Sequence, residues 1–187
     1  RRNGPDAFLI IGGDVPDELV GMTLAEVAAD RGQDPLETAI HLIREGGARI
    51  GSFNMSEDDI RAFMAAEFVM TGSDGSSGHP RRYGTHPRKI RTYVLEEGVI
   101  SLERMIEAST SQPASVFALE GRGRLEAGAF ADVIVFDPAE VRDHATFVEP
   151  TLLASGMRWV FVNGVAAIEE GEPTGVLSGR VLLRDPR

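Results

Sequence analysis

The sequence predicts an α/β fold that gives way to β structure near residue 120. Three observations carry this. Short apolar segments alternate with helical patterns between residues 8 and 112. Those helices have recognisable start and stop signals. Beyond residue 120 helical periodicity fades, and Asn163-Gly164 stands between Val162 and Val165, the strongest short-range hairpin signal in the chain.

Taken in order, residues 8–12 read as a short buried strand. Thr23-x-x-Glu26 is a capping box ahead of Leu24, Val27 and Ala28, and Gly32 stops that helix. Asp34-Pro35 then supplies an N-cap with Pro in the first turn. Leu36, Ala39, Ile40 and Ile43 fall on one apolar face, and Gly46-Gly47 ends the helix. A second strand is expected over 48–53. Ser56 caps a third helix with Ile60, Phe63 and Met64 facing the core. A third strand, 68–72, runs into Ser73-Asp74-Gly75, and a polar loop fills 73–87. Two helical segments follow, near 88–97 and 102–111, then a short one at 113–119. Strands separated by helices of this length imply parallel pairing through right-handed crossovers. A (β/α)8 barrel takes ~250 residues, so three βα units correspond to its last three-eighths. Residues 1–119 are therefore assigned to the barrel portion and 120–187 to a separate β domain, with strands near 131–136, 157–162 and 181–183.

The 187 residues carry 29 acidic and 19 basic side chains, a net charge of −10, and no Cys. Disulfides, thiolate metal ligands and a Cys nucleophile are excluded within the chain. No apolar run reaches the ~18–20 residues a bilayer requires. The acidic balance argues against nucleic-acid binding driven by phosphate neutralisation. The expected compartment is the cytoplasm. The opening Arg1-Arg2-Asn3-Gly4 has no initiator Met and no signal-peptide pattern, so the chain is expected to begin partway into a longer protein.

Chemistry concentrates in residues 73–88. Asp74 follows the C-terminal end of an apolar segment, where α/β barrels place catalytic groups. A carboxylate there can bind a divalent metal and shuttle a proton between water and leaving group. Ser-Asp-Gly is equally the chemistry of an Asx-turn that closes a strand, and position alone leaves both readings open. Arg81, Arg82 and Arg88 concentrate positive charge in an acidic chain, and a guanidinium can hold a substrate carboxylate with two bonds. His79 and His86, seven apart in a loop containing Pro and Gly, lack the spacing of a metal pair. Tyr83 is placed to line a pocket or to pack the loop. His41 and His144 are read as structural or exposed. Ser76-Ser77 lacks the turn of a serine hydrolase, and Gly121-Arg122-Gly123 has no strand-turn-helix around it.

The run from Phe68 to Arg88, FVMTGSDGSSGHPRRYGTHPR, resembles the signature region of N-acyl-D-amino-acid deacylases (D-aminoacylases) of the metal-dependent amidohydrolase superfamily. The similarity continues through residues 93–103 and 111–114. The stretch GRLEAGAFADVIVFD, residues 123–137, resembles the superfamily's re-entry into its β domain. The resemblance implies a TIM barrel joined to a small β-sandwich, with this chain as its C-terminal part. It implies zinc-dependent hydrolysis of the amide in N-acyl-D-amino acids. Asp74 would be a metal ligand and the acid/base, and Arg81 the grip on the substrate's α-carboxylate. His79 and Tyr83 would join Arg81 in binding substrate, and Asp132 would be structural. The family's early His-x-His pair and mid-barrel His ligands have no counterpart here. One or two zinc ions would thus need ligands from a complementary N-terminal polypeptide. Two other readings remain: a cyclic-ureide hydrolase such as a hydantoinase or dihydroorotase, and a non-catalytic assembly module.

Overall fold

The computed structural model describes residues 3–75 and 78–182. Of these, residues 3–60, 74–82 and 145–152 form one compact unit, and 61–73, 83–144 and 153–182 form another.

In the first unit, β1 (Phe8–Gly13) pairs with β2 (Ala48–Ser52), and Ile10 lies opposite Ile50. Between them stand helices α1 (Leu24–Arg31) and α2 (Pro35–Arg44). Their caps are the ones the sequence announces. The Glu26 N–H donates to Thr23 Oγ1 at 3.2 Å, and the Thr23 N–H donates to Glu26 Oε2 at 2.7 Å. Asp34 Oδ1 accepts from the Leu36 N–H at 2.8 Å, satisfying one of the four free donors at a helix start. Ile10, Leu19, Val27 and Leu42 make the core, with Val15, Met22, Leu24 and Ala48 packed around it.

Two expectations fail here. The strands are antiparallel, not parallel. Two helices in place of one crossover helix bring the chain back to the end of β1, where Gly13 lies opposite Ala48 and the Asp14 N–H donates to Gly47 O. The third barrel strand expected at 68–72 is also absent, since Phe68 lies in a turn and 69–72 join no ladder. Three parallel βα units are therefore not what forms. The apolar stripe of α2 is largely exposed in this chain. Leu36 and Ile43 are 69% and 72% exposed, whereas Thr38 and Leu42 are buried. Periodicity identifies which side chains share a face but not which face meets the core. The Thr38 hydroxyl is buried without penalty because it donates to Asp34 O at 3.0 Å. In α3 (Glu57–Ala65) Phe63 is likewise exposed, and no residue is fully buried.

Helix α4 (Arg81–Arg88) occupies part of the expected polar loop. Gly84 and Pro87 hide it from propensity reasoning. Pro87 has no N–H to continue an α-helix, and the chain runs on as a wider π-helix over Lys89–Glu96. In the second unit α5 (Leu102–Ser109) and α6 (Ser111–Val116) follow. Ile90, Met105 and Val141 form the core, flanked by Val94, Ile100, Leu102, Phe136 and Met157. Strands β3 (Val133–Phe136), β4 (Met157–Val162), β5 (Val165–Glu169) and β6 (Glu172–Pro173) make one antiparallel sheet in chain order. Asn163 and Gly164, with φ of 50° and 82°, form the expected turn between β4 and β5. The strand expected at 181–183 is not formed at 181–182, and Leu183 lies outside the described residues.

At the entrance to this sheet Arg122 pairs with Asp132 and donates to Asn163 Oδ1 at 2.7 Å. Its guanidinium lies 4.2 Å from the centroid of the Phe130 ring. Burial pushes the Asp132 carboxyl up, but hydrogen bonds from Asn163 and Arg122, with the charges of Arg122 and Arg180, hold it below the usual range. These contacts tie the entrance of the sheet to the turn between β4 and β5. Among the described residues no helix is long and apolar enough to cross a membrane.

Gly156, at φ 86°, sits where a Cβ would lie 2.5 Å from Val141 N. The obstacle is backbone and cannot swing aside. Gly156→Ala is expected to destabilise the protein by about 1–3 kcal/mol, read as a lower denaturant midpoint at unchanged slope.

Candidate active site

The segment before Asp74 has irregular backbone without a neighbouring strand, so its polar groups must be satisfied otherwise. Side chains and a helix end do this. Arg104 Nη2 donates to Glu67 O at 2.5 Å and to Val69 O at 3.2 Å. Gln112 Nε2 donates to Glu67 O at 2.8 Å. The Thr71 N–H donates to Ala108 O at 2.9 Å, near the end of α5. Lys89, only 7% exposed, donates from Nζ to Thr71 Oγ1 at 2.6 Å. Burial, helped by the Arg104 charge, lowers the Lys89 ammonium's pKa from the usual lysine value.

Three residues later Asp74 adopts φ 46°, a conformation Asp tolerates better than most side chains. Its side chain is 81% exposed and pairs with Arg81, Nη2 to Oδ2, at 2.9 Å. Arg81 Nε also donates to Asp74 O at 2.5 Å. One guanidinium thus clasps both the backbone and the carboxylate of Asp74. The two leading residues of the sequence prediction are in direct contact.

His79 supports the clasp from the other side. Its Nδ1 accepts from the Arg81 N–H at 3.1 Å, occupying a free donor at the start of α4. Its ring meets Phe147 edge to face at 4.9 Å, and Phe147 meets Phe53 the same way at 5.0 Å. Burial first, then the Arg81 charge, lower the His79 pKa, with Asp74 opposing. An accepting Nδ1 carries no proton, consistent with a neutral ring.

Tyr83 is half-buried in α4, in the second unit. Arg88 reaches Asp143 at 3.9 Å, and His144 shares a hydrogen bond with Ser155. Arg82 and His86 are exposed, His41 is half-buried in α2, and Ser76-Ser77 lie outside the described residues. Sequence reasoning missed Arg49, on β2. Its guanidinium lies against Gly78, where a Cβ would stand 2.6 Å from Nη2, and donates to Ile11 O at 3.4 Å. It also missed Phe147, which crosses Gly51 so closely that a Cβ there would lie 3.2 Å from the ring. Neither position carries a local sequence signal, because both contacts join segments distant in the chain.

Among the described residues no three His, Cys, Asp or Glu side chains converge as a metal site. Zinc takes three or four protein ligands, so Asp74 by itself does not fit a zinc centre.

A family profile described as "Amidohydrolase family" matches residues 19–168. The D-aminoacylase of Alcaligenes xylosoxydans xylosoxydans is 42% identical over 171 residues, 89% of this chain and 35% of that protein. A crystal structure of D-aminoacylase superposes with a TM-score of 0.82 at 39% identity, covering 95% of this chain and 38% of that one. The N-acyl-D-glutamate deacylase of Bordetella bronchiseptica, solved with zinc and a phosphonate that mimics the tetrahedral intermediate, gives a TM-score of 0.76 at 37% identity, covering 90% of this chain and 36% of that one. Similarity to a dihydroorotase of Endomicrobium trichonymphae is shorter, 33% over 84 residues, 45% of this chain and 18% of that protein. The chain spans about a third of the length of the deacylases it matches.

The lowered His79 pKa has a sign. The fold favours the neutral ring, so its contribution is complete above the ordinary value near ~6.5 and is lost as pH falls through the folded value. Denaturation of the full-length protein between pH 7.5 and 5 (about the His range) is expected to show wild type losing more stability than His79→Gln. Equal losses would remove the assigned role.

Proposed function

Because the chain belongs to the amidohydrolase family, we propose that it is the part of an N-acyl-D-amino-acid deacylase that carries the proton-transfer carboxylate and the substrate-carboxylate grip. The single observation behind this is the contact between Asp74 and Arg81, in a segment whose HPR-x-YGT motif resembles that family. Similarity to deacylases over about nine-tenths of the chain supports the same substrate class. In this reading Arg81 fixes the α-carboxylate of the substrate. Asp74 takes a proton from the attacking water and returns it to the leaving amine. His79 fixes the start of the helix that carries Arg81, and Tyr83 borders the substrate. Zinc, which polarises the amide carbonyl when bound, is held chiefly by residues outside this chain, with Asp74 as one ligand.

The rest of the proposal follows from length. A complementary N-terminal polypeptide of the same enzyme supplies the remaining barrel, acting in the cytoplasm with neither nucleic acid nor membrane as partner. The exposed Leu36, Ile40 and Ile43 on α2 suit burial against it. Residues 1–119 contribute to the barrel portion and 120–187 to the β-sandwich portion. This architectural division, resting on the change from helices to strands, differs from the compact units described above.

Assayed as the full-length enzyme, N-acetyl-D-amino acids are expected to be hydrolysed and hydantoin and dihydroorotate left intact. Turnover of the cyclic ureides alone would favour a dihydroorotase-like reading, and no turnover with no bound metal would favour an assembly module. Asp74→Asn is expected to lower kcat by at least ~10²-fold while the protein stays folded. Arg81→Lys replaces a two-pronged grip with a point charge and is expected to act chiefly on KM. An unchanged KM would remove the carboxylate assignment.

A further inference from the structure

Thr71 is held at two points by two different elements. Its N–H donates to Ala108 O at 2.9 Å, near the end of α5, and its Oγ1 accepts from Lys89 Nζ at 2.6 Å, at the start of the π-helix. A backbone bond alone leaves a residue free to pivot about it. Threonine is β-branched and stiff at χ1, so holding Oγ1 also holds the direction of the Cα–Cβ bond and removes the pivot. Arg104 and Gln112 hold carbonyls further back, at Glu67 and Val69. Thr71 is the pinned residue of this run nearest to Asp74, with Gly72 and Ser73 between them. The pin has a cost. Lys89 is buried, and further polypeptide can only cover it more. Methionine has nearly the same length and no charge to desolvate, so what the ammonium adds here is the bond to Thr71.

We propose that Lys89 is a positioning residue: by fixing the Thr71 side chain it sets the direction in which the chain leaves the 67–71 run, and so the placement of Asp74. This rests on the reading above that Asp74 takes part in the reaction. Arg81 has an anchor of its own, the His79 ring that accepts from its N–H, so loosening Thr71 leaves the substrate grip in place. Loss of the Lys89 bond is therefore felt in the chemical step and not in the capture of substrate. A misplacement of about 1 Å is enough for a large loss of rate.

The test uses the full-length enzyme. Lys89→Met and Thr71→Val are each expected to lower kcat for N-acetyl-D-amino acids by about 5- to 50-fold, with KM within about 2-fold of wild type. Thr71→Ser keeps the hydroxyl and is expected to keep kcat. One bond is lost in either case, so the double variant is expected to be no slower than Lys89→Met alone. Hydrogen exchange reads the pin without metal or turnover. Peptides spanning 67–73 should exchange faster in Lys89→Met and Thr71→Val, and at the wild-type rate in Thr71→Ser. Additive losses in the double variant, a Thr71→Ser as slow as Thr71→Val, or unchanged exchange would each overturn the positioning role. If Lys89→Met does not fold, Thr71→Val against Thr71→Ser decides. Asp74→Asn is measured beside them. If it loses turnover while Lys89→Met and Thr71→Val keep theirs, the positioning role falls and the reading of Asp74 stands. If it keeps turnover, that reading falls and the positioning role with it.

Discussion

Backbone that leaves a sheet keeps its need for hydrogen bonds, and the approach to Asp74 is built around that need. Residues 67–71 leave a turn and have no partner strand. Two carbonyls of this run are met by Arg104, one of them also by Gln112, and one amide is met by the carbonyl of Ala108. Lys89 then fixes the Thr71 hydroxyl from a buried position. A buried ammonium is expensive, and its lowered pKa expresses that strain on the charged form. Segment 67–71 is thus held by side chains from the π-helix, α5 and α6, all within one compact unit. Asp74 follows three residues later.

What the sequence made legible were interactions whose partners are close in the chain. Thr23 with Glu26, Asp34 with the following amides and Asn163-Gly164 in its hairpin are all settled within a few residues. Their chemistry is the same in any fold. Strand direction and the choice of buried face depend on partners far along the chain. For that reason the parallel pairing expected of β1 and β2 does not form, and the apolar stripe of α2 marks a shared face without marking a buried one. Helix α4 escaped because Gly84 and Pro87 argue locally against a helix that packing nevertheless supports; both are buried.

The candidate site divides along the same line. Asp74 and Arg81 are seven residues apart and were found as a motif, and the structure adds that they touch. Phe147 meets Phe53, four residues after Arg49, from a segment far along the chain, and no spacing rule connects it to them. The Phe147 ring needs the bare backbone of Gly51 to lie flat against β2. Such a contact becomes visible only once both segments have coordinates. A motif therefore identified the candidate pair, while the aromatic support of His79 needed the fold.

The two compact units exchange the chain five times, at residues 60/61, 73/74, 82/83, 144/145 and 152/153. Neither can be cut out as one continuous stretch, and the site loop at 74–82 is itself an excursion of one unit bounded on both sides by the other. Recombination moves continuous stretches of sequence between proteins. A single crossover within residues 61–152 would sever both units at once.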